Sequence, residues 1–247
     1  MGRPLSSITI HPLKFAQAID TLADWARGST PRYVSTCTVY TLMRALEDEQ
    51  IARALNAADL VTADGMPLVW LQHMRGESFA ERVYGPDLTL ALLARFNGDP
   101  TVSHFFLGGL EGVPALLVQS LKARYPQLAI AGAFSPPVGD VGDAPDASIV
   151  ERVNASGASI VWVGLGSPKQ DLWMNLYRPV LNAPLLIGIG AAFDFLSGTK
   201  SQAPKWMQKR GLEWLYRLYQ EPRRLGKRYL VYNAKFAAAV INNRLRK

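Results

Sequence analysis

A single carboxylate, Asp64, interrupts the apolar segment Leu60–Trp70 (LVTADGMPLVW) and is followed at once by Gly65. Sealed from water without a partner, it would cost several kcal/mol. It therefore either caps the helix that follows or lies in a cleft, where a carboxylate can take a proton from a reacting hydroxyl. Two further junctions have the same polar, glycine-bearing character. One is FFLGGLEGV, with Gly108 and Gly109; the other is VWVGLGSPKQD, with Gly164, Gly166, Ser167, Pro168, Lys169 and Gln170. Glycine between a strand and a helix lets phosphate oxygens reach backbone N–H groups, and the helix N-terminus favours negative charge. Each junction also has a local reading: Gly108-Gly109 as a tight turn, and Ser167 as an N-cap before an N1 proline. The segment GLGSPK lacks the third glycine of the dinucleotide fingerprint, which argues against a nicotinamide-dependent oxidoreductase.

The elements that must position these residues alternate. Apolar runs at Arg32–Thr36, Leu60–Thr62, Thr101–Leu107, Leu128–Phe134, Ser159–Gly164 and Pro184–Ile189 lack clean two-residue alternation. That pattern predicts strands buried on both faces of a largely parallel sheet. Helical patterns lie between them at Leu13–Arg27, Tyr40–Asn56, Asp87–Phe96, Val113–Tyr125, Ala144–Asn154 and Pro168–Leu181. The expected fold is α/β, Rossmann-like, with helices flanking the sheet. After Leu196 the strand signal stops, so the chain divides into an α/β body over residues 1–196 and a helical appendage over residues 197–247. In the appendage Leu212, Leu215, Tyr216 and Tyr219 share one helical face, while Glu213, Arg217 and Gln220 turn toward another. Pro222 breaks the pattern before a second helix.

Charge follows the same division. The 247 residues carry +7, but residues 200–247 alone carry +11, with thirteen Lys/Arg against Glu213 and Glu221; the remainder carries −4. Such asymmetry calls for an anionic partner or surface. One cysteine, Cys37, excludes an internal disulfide framework and fits a reducing compartment. No histidine pair has metal-ligand spacing, there is no Asp-x-Asp pair, and no apolar run is long enough to span a membrane.

The segments ADLVTADGMPLVW, ERVYGPDL, FFLGG, VGLGSPKQDLWM and GIGAAFDFLSGTKSQAPKWMQKRGLEWLYRLYQEPRRLGKRYL occur in that order. Together they resemble the WecG/TagA/CpsF family, glycosyltransferase family 26, from about Tyr33 to Tyr232. The resemblance implies inverting transfer of a sugar from a UDP-sugar to a polyprenyl-diphosphate-linked acceptor at the cytoplasmic membrane face. It also implies Asp64 as general base, Arg82 as a residue that binds phosphate or sugar in the site, Gln170 as a residue near the substrate, and a C-terminal appendage that meets the membrane and closes over the site. Asp171 stands where the family more often has Glu. Thr36 matches a Thr of the family, but Thr38 stands where Asn is usual; a hydroxyl and an amide present different donors and acceptors, so the donated sugar is left open. The expected substrate-binding set is thus Thr36, Thr38, Arg82, Gly108, Gly109, Gly166 and Gln170. The cations expected at the acceptor diphosphate or the membrane are Arg217, Arg224, Lys227 and Arg228, since arginine pairs well with diphosphate oxygens.

Trp206, Trp214, Tyr216, Tyr219, Tyr229 and Tyr232 suit a bilayer interface or, alternatively, pack on the body. No cofactor and no metal are expected. A homo-oligomer is compatible with an apolar tail. Three other readings stay open on sequence: a nucleic-acid-binding module with this basic, aromatic tail, an oxidoreductase, and a catalytically impaired nucleotide-sugar binder.

Overall fold

The structure, a computed structural model, describes residues 3–244. Met1, Gly2 and the last three residues, which include the tail bases Arg246 and Lys247, lie outside the described residues. Among the described residues six strands form one sheet: β1 (Arg32–Cys37), β2 (Leu60–Ala63), β3 (His104–Gly108), β4 (Ile130–Phe134), β5 (Ile160–Gly164) and β6 (Leu185–Gly188). Their order is β2-β1-β6-β5-β3-β4 and every adjacent pair is parallel. Each strand coincides with one of the apolar runs, β1, β2 and β3 each ending one residue beyond it. The fold is α/β and Rossmann-like.

Both faces are covered, which is why the strands read as continuous apolar runs. Along β1, Val34 joins Phe106, Trp162 and Ile187 on one face, under α1 (Phe15–Ala26), α5 (Gly85–Phe96) and α6 (Val113–Arg124). Its neighbour Tyr33 joins Phe105, Val161 and Leu186 on the other, under α7 (Ala147–Ala155) and α8 (Lys169–Tyr177). The β2 edge is covered by α2 (Val39–Glu47), α3 (Glu49–Asn56) and α4 (Met66–Met74).

Three local departures from the sequence reading have capping causes. The helix expected over Tyr40–Asn56 breaks at Asp48, whose extended backbone (φ −126°, ψ 123°) lets its carboxylate accept from Gln50 and Ile51 N–H and start α3. The strand expected from Thr101 begins at His104, because Thr101 closes a turn with its N–H 3.0 Å from Asp99 Oδ1. Ser167 is not the cap: Pro168 is the N-cap of α8.

The appendage continues from α9 (Ala192–Leu196) through α10 (Lys205–Lys209), α11 (Glu213–Gln220) and α12 (Pro222–Arg244). α12 lies across α2 and contributes Phe236, Tyr232, Ala239 and Val240 to the apolar cluster of the β2 edge. α11 turns the opposite way from its amphipathic pattern. Glu213 is buried against the body, while Leu215 and Tyr219 point to solvent, Tyr219 at 85 % exposure. Trp206 (57 %) and Leu230 (74 %) are also exposed, whereas Tyr229 packs edge-on to Trp214 and Tyr232 edge-on to Tyr40. The aromatic residues therefore divide between solvent-exposed and packed positions. Among the described residues no helix is long and apolar enough to cross a membrane.

Candidate active site

The register of the sheet brings four strand ends to one rim. Cys37 lies beside Ala63, and Ser35 and Val163 both lie beside Gly188. Thr38, Asp64, Leu165 and Ile189 follow directly, at the carboxyl side of a parallel sheet where ligands bind in such folds.

Asp64 anchors its backbone N–H on the Cys37 carbonyl at 2.9 Å. Its carboxylate does not cap α4; Gly65 occupies that position. Instead Oδ1 accepts from the Gly85 N–H at 2.7 Å, at the first turn of α5, where a negative charge meets the positive end of the helix. Burial pushes the Asp64 carboxyl up from its ordinary 3.8 to about 6, against the pull of Arg82 and the Gly85 N–H. Arg82 Nε–H donates to the Asp64 carbonyl, its guanidinium lies 3.9 Å from the Tyr84 ring centre, and its Nη2 pairs with Glu213 at 2.7 Å.

Two unlike cavities meet at Asp64. The first, about 140 Å³, is largely apolar and aromatic, with Tyr40, Met66, Pro67, Trp214, Tyr229 and Tyr232 in its wall. The second, about 220 Å³, is more polar; Gly164, Gly166, Ser167, Gln170, Gly190 and Asp194 line it, with Thr36 and Tyr84. Both are lined by Thr38, Asp64, Arg217 and Arg228. Arg224 joins the second cavity alone and pairs with Glu221. Arg228 stacks its guanidinium carbon 3.6 Å over the Tyr40 ring. Its Nε is sealed from solvent with no hydrogen-bond partner among the described residues, and burial holds its pKa below the usual value. A buried cation of this kind is organised for an anion.

The remaining residues singled out in the sequence divide. Thr36 Oγ1 donates to the Gly188 carbonyl at 2.7 Å and sits at the rim. Thr38 caps α2, accepting from the Thr41 N–H at 3.2 Å. Gln170 is buried, with an Oε1 that lacks a partner among the described residues. Gly108 and Gly109 line neither cavity. Gly108 ends β3 so close to β5 that a Cβ would fall 2.5 Å from the Gly164 carbonyl carbon, and Gly109 turns at φ +72°. Lys227 is exposed and outside both cavities; its neighbour on α12, Arg228, turns inward instead. Sequence reasoning missed the roles of Glu213 and Tyr84. The available signal was that Glu213 is one of only two acids in so basic a tail. Asp171, on the same helix as Gln170, is fully buried and accepts from Ser35 Oγ at 2.6 Å; burial pushes it to about 6, against hydrogen bonds from Ser35 and Ser167.

The floor of the polar cavity contains glycine where nothing larger fits. A Cβ on Gly164 would lie 2.2 Å from the Phe193 ring. Gly164→Ala is expected to cost about 1–3 kcal/mol by overpacking, read as a lower melting temperature of the free protein.

A parallel sheet with a glycine-floored cleft at its strand ends, one carboxylate between a polar and an aromatic cavity, and arginines folded over both, defines an α/β group-transfer enzyme. The chain belongs to the Glycosyl transferase WecG/TagA/CpsF family, whose model matches residues 3–247, and it is a glycosyltransferase. Over 199 residues it is 28 % identical to the N-acetylglucosaminyldiphosphoundecaprenol N-acetyl-beta-D-mannosaminyltransferase of Bacillus spizizenii, a match covering 81 % of this chain and 74 % of that protein.

Proposed function

We propose that the chain transfers a hexose or N-acetylhexosamine-type sugar from a UDP-sugar to a polyprenyl-diphosphate-linked saccharide, inverting the anomeric carbon, in bacterial cell-surface polysaccharide synthesis. The observation that carries the reading is the meeting of the two cavities on Asp64. The polar, glycine-floored side suits the nucleotide sugar; the aromatic side suits the acceptor saccharide and the start of its lipid. Asp64 takes the proton of the acceptor hydroxyl as that oxygen bonds to the anomeric carbon. The bond from that carbon to the diphosphate oxygen breaks on the opposite face, and UDP leaves with the electron pair. Arg217, Arg224 and Arg228 face the polar cavity and stabilise the charge that grows on the departing diphosphate. Because these three supply positive charge, transfer is expected to persist in excess EDTA; loss restored by magnesium or manganese would overturn that part.

The outward-facing Trp206, Leu215, Tyr219 and Leu230, beside a strongly basic tail, support peripheral attachment to the inner face of the cell membrane, where each Lys or Arg near an anionic bilayer adds about 1 kcal/mol. The test is a panel of UDP-sugars, UDP-N-acetylmannosamine among them, with a short-chain lipid-diphosphate sugar acceptor. One donor is expected to give an extended lipid-linked saccharide, and UDP is expected to raise the melting temperature where NAD does not. Protection by NAD alone would favour the oxidoreductase reading. Protection by UDP with no transfer from any donor would make the chain a binder.

A further inference from the structure

Residues 81–84 lie outside regular secondary structure, with the Val83 N–H bonded to the Ala63 carbonyl at the end of β2 at 3.0 Å. Val83 is buried in the core, while Arg82 and Tyr84 lie against one another, the guanidinium 3.9 Å from the ring centre. Both meet one residue of the appendage. Glu213 Oε2 accepts from Arg82 Nη2 at 2.7 Å, and Oε1 accepts from the Tyr84 hydroxyl at 2.6 Å. Beyond these two, each path reaches Asp64 in one further step. Arg82 Nε–H holds the Asp64 carbonyl, and Gly85, the residue after Tyr84, holds the Asp64 carboxylate.

We propose that Glu213 is a positioning residue that couples the seating of the appendage to the orientation and charge of the Asp64 carboxylate, a proposal that rests on the reading of Asp64 as the base. The charged and titratable groups around Asp64 are Cys37 at the end of β1, Arg82 and Tyr84 before α5, Glu213 and Arg217 on α11, and Arg228 on α12. Glu213 acts on this set twice. It neutralises Arg82, which would otherwise favour the ionised form of Asp64, and as a like charge it disfavours that form directly. The base therefore keeps its affinity for a proton only while α11 is docked. An undocked appendage leaves Arg82 free to hold the carboxylate ionised, weakly basic and misplaced.

The test is Glu213→Gln, which keeps the shape and removes the charge. Asp64 is titrated directly by carboxyl ¹³C NMR, its resonance assigned by its absence in Asp64→Asn. The wild-type midpoint is expected near 6, and in Glu213→Gln it is expected to fall by about half a pH unit or more. The acid limb of kcat/KM moves with it, and kcat falls about tenfold or more while KM for the UDP-sugar stays constant. Should Glu213→Gln fail to fold, Glu213→Asp keeps the charge but shortens the reach; it is expected to keep the midpoint and lower kcat. An unmoved midpoint in Glu213→Gln, or full kcat in Glu213→Asp, overturns the proposal. The titration needs no substrate. A moved midpoint in a protein that transfers no sugar would sink the proposed function alone, and an unmoved one in an active transferase would sink the coupling alone.

Discussion

Asp64→Asn will be a nearly inactive protein that melts at a higher temperature than the wild type. The loss follows from its role: removing the proton acceptor costs about 10²–10⁴ in rate, and the amide keeps an oxygen for the Gly85 N–H, so binding of UDP should survive. The gain follows from burial. The folded-state pKa of about 6 lies above the ordinary 3.8, so the folded protein holds its proton where the unfolded chain has released it. Stability from this group is thus complete at low pH and is lost as pH rises through the window between those values. Above it, the ionised carboxylate destabilises the fold by at most about 3 kcal/mol, at 1.36 kcal/mol per pH unit. Asparagine lifts that cost, and a chain of this size gains roughly 2–4 °C per kcal/mol. The difference in melting temperature should vanish below about pH 4. In the wild type kcat/KM should climb through a midpoint near 6, because only the ionised form accepts a proton. An active Asp64→Asn, or one that melts lower at neutral pH, would remove Asp64 from the centre of the reaction.

Deleting the chain after Ser197 is expected to abolish measurable transfer and to destabilise what remains. The packing of Phe236 and Tyr232 into the same cluster as Leu42 and Leu55 means that truncation also opens an apolar surface, so the truncated body should melt lower and bind UDP weakly. A full-length variant separates charge from folding. Arg217→Gln together with Arg228→Gln leaves the apolar packing of α12 through Phe236 and Tyr232 unaltered. Each arginine lost from a charged oxygen costs about 1.5–3 kcal/mol, so kcat/KM should fall by about a hundredfold or more. Wild-type turnover by that double variant would take the late arginines out of the mechanism, whatever the truncation does.

The strands were legible because burial on both faces leaves an unbroken apolar signature, and five of the six helical stretches expected in the body match helices with small errors at their ends, while α4 and α9 were not among those stretches. The sixth, Tyr40–Asn56, concealed a break at Asp48, which only its own capping geometry reveals. Strand order was not legible: β6 inserts between β1 and β5, and nothing local says so. At the site, Asp64 was visible as a carboxylate with no apolar excuse. Its partner was not, since Gly85 lies 21 residues on. The salt bridge from Arg82 spans 131 residues to Glu213. The face of α11 was misjudged for a physical reason. Periodicity assumes that apolar residues turn inward, and here a buried ion pair takes that place while Leu215 and Tyr219 face out.

The glycine floor has a consequence for descent. With Gly164 pressed on Phe193, part of the bed of the polar cavity is closed to any side chain. Change by descent is thereby directed to the side chains along the border, such as Thr38, where residues can be exchanged without rebuilding the sheet beneath.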